Sequence, residues 1–105
     1  MASWTGEELA PGRSAALLGA RPNPFQAGTA VAFRLARPAE VRVAVFDVTG
    51  RAVRTLLDER RESGLQEVRW DGRDDQGRSM AAGVYLYRMI VDGVETGIAK
   101  GVLMR

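Results

Sequence analysis

Val84-Tyr-Leu-Tyr-Arg-Met-Ile-Val91, followed at once by Asp92-Gly93 and then by Val94–Met104, decides the fold of this chain. The octapeptide is a nearly unbroken run of β-branched, aromatic and long apolar residues, and alternate positions share one face of an extended strand. Asp-Gly between two such runs marks a two-residue hairpin, because both central residues of that turn need positive φ. Two antiparallel strands joined by a tight turn are therefore expected. Upstream the same pattern recurs. Thr29–Leu35 places Val31, Phe33 and Leu35 on one face, and Glu40–Phe46 does the same with Val41, Val43 and Val45. A period of two marks half-buried strands.

The remaining stretches fit between these. Asp47–Arg51 reads as a turn, since Asp47 can accept from its own following backbone and Gly50 tolerates positive φ. Ala52–Asp58 and Leu65–Trp70 read as further strands, and Leu17–Arg21 as a short first one. A helix over Ala52–Glu62 competes for the same residues, because Val53, Leu56 and Leu57 also suit a 3.6 period. Strand is preferred there because every neighbour is a strand. About seven strands at spacings near 8–12 residues predict an all-β, antiparallel immunoglobulin/fibronectin-like β-sandwich. Residues 1–16 show no sustained period and read as a tail or linker; residues 17–105 form the domain. Phe33, Trp70, Tyr85 and Tyr87 are expected in the core. Phe46 is opposite in phase to Val41, Val43 and Val45, so it should be exposed or covered by a loop.

Composition narrows the chemistry. The 105 residues contain no cysteine and no histidine. Disulfides, zinc fingers, thiol or imidazole catalysis and a Ser-His-Asp triad are all excluded. Fourteen arginines and the single Lys100 face 13 acids, for a net charge of +2. The two signs alternate along the chain, so the high pI of 9.7 does not describe a nucleic-acid-binding stripe. No apolar run approaches the roughly 20 residues of a membrane-spanning helix. Met1–Glu8 carries two acids and no apolar segment follows, so no signal peptide is read here, and the chain reads as a piece of a longer protein.

Asp71, Asp74 and Asp75 are the strongest candidates for a site, in the loop Asp71-Gly-Arg-Asp-Asp-Gln-Gly77. Calcium binding through oxygen is conceivable. The EF-hand spacing nevertheless fails, with Arg73, Gln76 and Ala82 at its third, sixth and twelfth positions. A long turn in which the aspartates cap backbone amides, and Gly72 and Gly77 supply positive φ, is the preferred reading. No metal, cofactor or small-molecule substrate is expected, and no enzymatic activity.

The order of the punctuating motifs carries more than any one of them. Pro22-Asn-Pro-Phe25, Val45-Phe-Asp-Val-Thr-Gly-Arg51, Trp70-Asp-Gly-Arg-Asp-Asp-Gln-Gly-Arg78 and Ala82-Gly-Val-Tyr-Leu-Tyr-Arg88 follow one another at fitting spacings. The set resembles the FlgD-type immunoglobulin-like domain of flagellar hook-capping proteins. That domain overlaps with the type A C-terminal sorting domain of the type IX secretion system. The resemblance implies a non-enzymatic sandwich at the C-terminus of a larger exported bacterial protein, secreted or held at the cell surface by way of the periplasm. Its partners would be secretion-machinery proteins or neighbouring domains of the parent, with no nucleic acid and no membrane span. A hook-cap-like structural or assembly module is the alternative. Carried onto this sequence, the signature residues are Pro22, Asn23 and Pro24 at domain entry, Asp47, Gly50 and Arg51 at the first hairpin, Gly83 and Tyr85 opening the penultimate strand, and Lys100 in the last.

Overall fold

A computed structural model describes residues 15–105; the expected tail therefore lies almost wholly outside the described residues. Seven strands follow in order: β1 (Ala15–Arg21), β2 (Thr29–Leu35), β3 (Ala39–Asp47), β4 (Ala52–Arg61), β5 (Gly64–Trp70), β6 (Gly83–Val91) and β7 (Val94–Leu103). The first strand starts two residues before the expected Leu17, because Ala15 is fully buried and pairs with Leu35. No helix is present among the described residues, and so none is long and apolar enough to cross a membrane.

Two antiparallel sheets face one another, β1-β2-β5 against β4-β3-β6-β7. The fourth strand pairs with β3 rather than β5, so the sheets hold three and four strands. The constant-type immunoglobulin partition has the four-stranded sheet on the other side. The inward positions of β2, β3 and β6 supply most of the core: Val31, Phe33 and Leu35 meet Val41, Val43, Val45, Tyr87 and Met89. These are the residues that the period of two selects.

The helical alternative for residues 52–62 is not what forms. Two β-bulges interrupt the pairing of β3 with β4, one between Val43 and Ala44 and one between Val45 and Phe46. Leu56, one of the residues that suggested a helical period, is the extra residue at the first bulge. As an edge strand, β4 carries Asp58, Glu59, Arg60 and Arg61, charges that discourage pairing with another chain. Phe46 does point outward from β3 and is half-buried, with a side chain over its ring. The Arg88 guanidinium sits 4.9 Å from its ring centroid.

On the other side of the sandwich β1 and β7 approach closely without joining in a ladder. A side chain at Gly97 would collide with Leu17, its Cβ lying 2.7 Å from that of Leu17, so the seam depends on glycine there. The chain enters at Ala15, at the end that also holds residues 36–38, 62–63 and the Asp92-Gly93 turn. The longer connections, residues 22–28, 48–51 and 71–82, all lie at the opposite end.

Candidate functional site

Most of the expected signature residues lie at this distal end, and the side chains of Asn23, Asp47 and Tyr85 bond to main chain there. Asn23 spans the gap to β7: its Nδ2 donates to the Lys100 carbonyl at 3.0 Å and its Oδ1 accepts from Val102 N at 2.9 Å. Two residues on, Phe25 N donates to Val102 O and Met104 N to Phe25 O. A β7 edge that could pair with another strand is thereby occupied by the chain's own entry loop. Pro22 and Pro24 flank Asn23, each preceded by a cis peptide bond. The Pro22 carbonyl accepts from Thr29 Oγ1 at 2.8 Å.

Asp47 closes the β3–β4 turn. Its Oδ1 accepts from Thr49 N, Thr49 Oγ1 and Arg51 N at 2.9, 2.6 and 3.1 Å. Gly50 has φ +89°, a conformation that an L side chain would strain. The Thr49 hydroxyl bond and the Arg51 amide bond favour the carboxylate and hold the Asp47 pKa below its ordinary value.

Asp74 does the same for the longer loop, accepting from Gln76 N, Arg78 N and Arg78 Nε at 3.0, 2.8 and 2.9 Å. The Arg78 amide bond comes first among the causes that lower its pKa. Asp71 takes Arg54 Nη1 and Arg73 N, at 3.0 and 3.1 Å, and Asp75 accepts from Thr55 N at 3.2 Å. Thus each aspartate of the acidic loop caps a different main-chain group, and Gly72 and Gly77 take positive φ as the turn reading expects. Among the described residues no three acidic side chains group closely enough to hold a metal ion.

Trp70 lies beneath these loops with no exposed surface. Its ring meets Phe25, Tyr85 and Tyr87 edge-on, at centroid distances of 5.4, 5.2 and 6.0 Å. Its Nε1 donates to the Arg73 carbonyl at 2.9 Å, tying core to loop. Tyr85, next to Gly83 at the start of β6, donates to the Ala81 carbonyl at 2.6 Å. Burial raises its pKa, and the charge of Asp47 raises it further.

The charged residues of the expected sites and their neighbours do not share one surrounding. Asp47, Arg51, Asp74 and Arg78 line a depression of about 320 Å³ between the two turns. The Lys100 side chain is not part of it; it lines a different depression, with Arg21 and Arg34, over the outer face of β1 and β2. Three contributors were missed in the sequence. Thr29 is fully buried, and the signal was there: it is the polar member of an otherwise apolar inward row. Arg54 reaches both Asp71 and the Arg73 carbonyl, and Arg105 donates to the Gly72 and Met80 carbonyls. Nothing local marks either arginine for that task.

A model of the FlgD Ig-like domain matches residues 20–93, which includes all the distal connections. The chain belongs to the FlgD Ig-like domain family. That domain is a structural, non-enzymatic fold. Among solved structures, dimeric latent PorU of Porphyromonas gingivalis superposes with a TM-score of 0.73 at 25% identity, over 86% of this chain and 9% of that one. PorZ of the same organism, an essential surface component of its type-IX secretion system, superposes at 0.59 with 24% identity, over 86% and 12%. FlgD of Pseudomonas aeruginosa gives 0.56 at 21% identity, over 83% and 76%. The chain thus spans about a tenth of the two Porphyromonas proteins. No curated protein sequence matches the chain. Together these likenesses identify a structural or secretion-associated immunoglobulin-like module.

Proposed function

We propose that this domain is a C-terminal sorting or anchoring module of a larger exported bacterial protein, recognised by an outer-membrane secretion machinery, and that it performs no catalysis itself. The observation that carries the reading is the PorU likeness: most of this chain matches a domain-sized tenth of a much larger protein. PorZ, a surface component of a secretion system, contains a similarly sized match. The residues at the distal end support a task done by shape, since their polar groups are spent on turns and edges and none is paired as nucleophile and base. Export would place the domain outside the inner membrane, secreted or at the cell surface.

The test is a fusion of the whole chain behind a signal peptide and a reporter, in a bacterium with a type IX translocon. The reporter should become accessible to protease on intact cells, and should stay periplasmic when the translocon is deleted. A periplasmic reporter in both strains, or a surface reporter in both, would overturn the reading. The family match itself favours a second reading, an assembly module like the hook-cap domain. It would leave the reporter periplasmic, with the domain binding a neighbouring subunit.

A further inference from the structure

The outer face of the three-stranded sheet is built differently from the rest of the surface. Its central strand presents Ala30 and Ala32, with Gly19 of β1 beside Ala32, so methyl groups and main chain floor the middle of the face. Arg21 stands beside Ala30, Arg34 is further down β2, and Lys100 reaches in from β7. The resulting trough has a volume of about 790 Å³, and Leu18 and Leu65 extend its apolar surface. Arg69, across Ala30 in the register of β2 with β5, is not part of the trough; it lines a separate depression with Arg54 and Asp71.

Three cations, Arg21, Arg34 and Lys100, therefore line this trough, against a single acid, Glu67. The ion pairs among the described residues lie elsewhere: Arg54 with Asp71, Arg61 with Glu59, Arg78 with Asp74, and Arg88 with Glu95. None of these three cations forms an ion pair among the described residues.

We propose that this trough is a docking surface for an extended, acidic segment of a partner protein. Carboxylates would meet Arg21, Arg34 and Lys100, and small apolar side chains would lie on Ala30 and Ala32. Outward positions on β2 recur every second residue, about 7 Å apart, and same-face side chains of an extended peptide have that same repeat. Nucleic acid fits less well. Single strands bind on exposed aromatic platforms, and among the described residues the aromatic rings are buried except Phe46, which lies on the other sheet beneath Arg88. The surface assignment rests on the reading of the domain as a module that acts through protein contacts, but its test does not involve the translocon.

The whole chain is titrated into a fluorescein-labelled peptide of alternating glutamate and alanine, with a lysine–alanine peptide and a single-stranded oligothymidine as comparisons, read by fluorescence anisotropy. The acidic peptide should bind, more weakly as salt is added. Arg34→Glu with Lys100→Glu should lower its affinity at least about tenfold. Arg60→Glu, on the charged edge of β4, should leave it unchanged, and Glu67→Gln should raise it. Lys100→Gln, which keeps the stem, gives a milder loss if the double reversal disturbs folding. Failure of the acidic peptide to bind, equal affinity in folded charge-reversed protein, or tighter binding of oligothymidine would each overturn the proposal. A fusion that reaches the surface alongside a peptide that does not bind would remove this surface and leave the sorting reading intact.

Discussion

The two ends of the sandwich close the same sheets by different means. At the entry end the connections are short: residues 36–38, 62–63 and the Asp92-Gly93 hairpin. Asp92, at φ 50°, holds β3 through a two-way bond with Glu40, its N donating to Glu40 O and its Oδ1 accepting from Glu40 N. At the distal end three longer connections must be ordered, and side chains do it. Asn23, Asp47, Asp71, Asp74, Asp75, Trp70, Tyr85 and Arg105 each bond to main chain there. The short connections need few side-chain bonds, such as Asp92 to Glu40 and Gln66 to Glu62, whereas a twelve-residue loop at 71–82 must borrow many donors and acceptors. Most of the residues expected as the family signature fall at the end that borrows.

Removing the residue beneath the borrowed contacts should therefore break the domain most severely. Trp70→Ala deletes the ring that meets Phe25, Tyr85 and Tyr87, and removes the shorter of the two side-chain bonds to the Arg73 carbonyl. A loss of about 3–5 kcal/mol is expected, measured by urea unfolding. At this chain length each lost kcal/mol lowers the melting midpoint by roughly 4–8 °C, so the variant's midpoint should fall by roughly 12–40 °C. Asn23→Ala should follow, at about 1–2 kcal/mol for two bonds across the β7 edge. It should also leave that edge open, so sedimentation should reveal self-association that Asp92→Ala does not produce.

How much of this was legible follows from the same contrast. The strands were readable because Val31, Val43, Tyr87 and their neighbours alternate in an unbroken period of two. Asp47 and Gly50 were readable because only a few side chains make that turn. Bulges hid part of β4, since an extra residue at Leu56 shifts the phase and imitates a helical spacing. The β7 cap by Asn23 joins residues 77 apart in sequence, and no local pattern encodes such a contact. Arg54 and Arg105 were hidden for that reason as well, and so was the cationic trough, whose members come from β1, β2, β5 and β7.

Tyr85 and Tyr87 sharpen the comparison within one strand. Tyr85 bonds a distal loop, and Tyr85→Phe should cost about 1 kcal/mol. The Tyr87 hydroxyl is buried deeper, against Gly101, and has no partner among the described residues. Tyr87→Phe should therefore be neutral or stabilise by up to about 1 kcal/mol, because no bond is lost with the desolvated hydroxyl. Burial also raises the Tyr87 pKa from 10.0 to about 12. Its contribution to stability is complete below the unfolded value of 10.0 and declines as pH rises through about 12. Denaturant midpoints followed across that range should fall in the wild type and fall less in Tyr87→Phe.

The smallest effect expected is in acid, and it too separates the ends. Asp47 and Asp74, both distal, have pKa values held below the ordinary 3.8 by the bonds they accept. A carboxylate with a depressed folded pKa stabilises above its unfolded value, and that contribution is lost as pH falls through the folded one. Urea midpoints should therefore decline from about pH 5 to pH 2. Asn at both positions keeps an acceptor oxygen for the turn amides but carries no titrating charge, so Asp47→Asn with Asp74→Asn should flatten the decline while lowering the neutral-pH midpoint. Amide exchange in the same window should quicken first at residues 48–51 and 76–78. If the amides near Asp92 quickened first, the distal end would not be the part of the fold held by carboxylate charge.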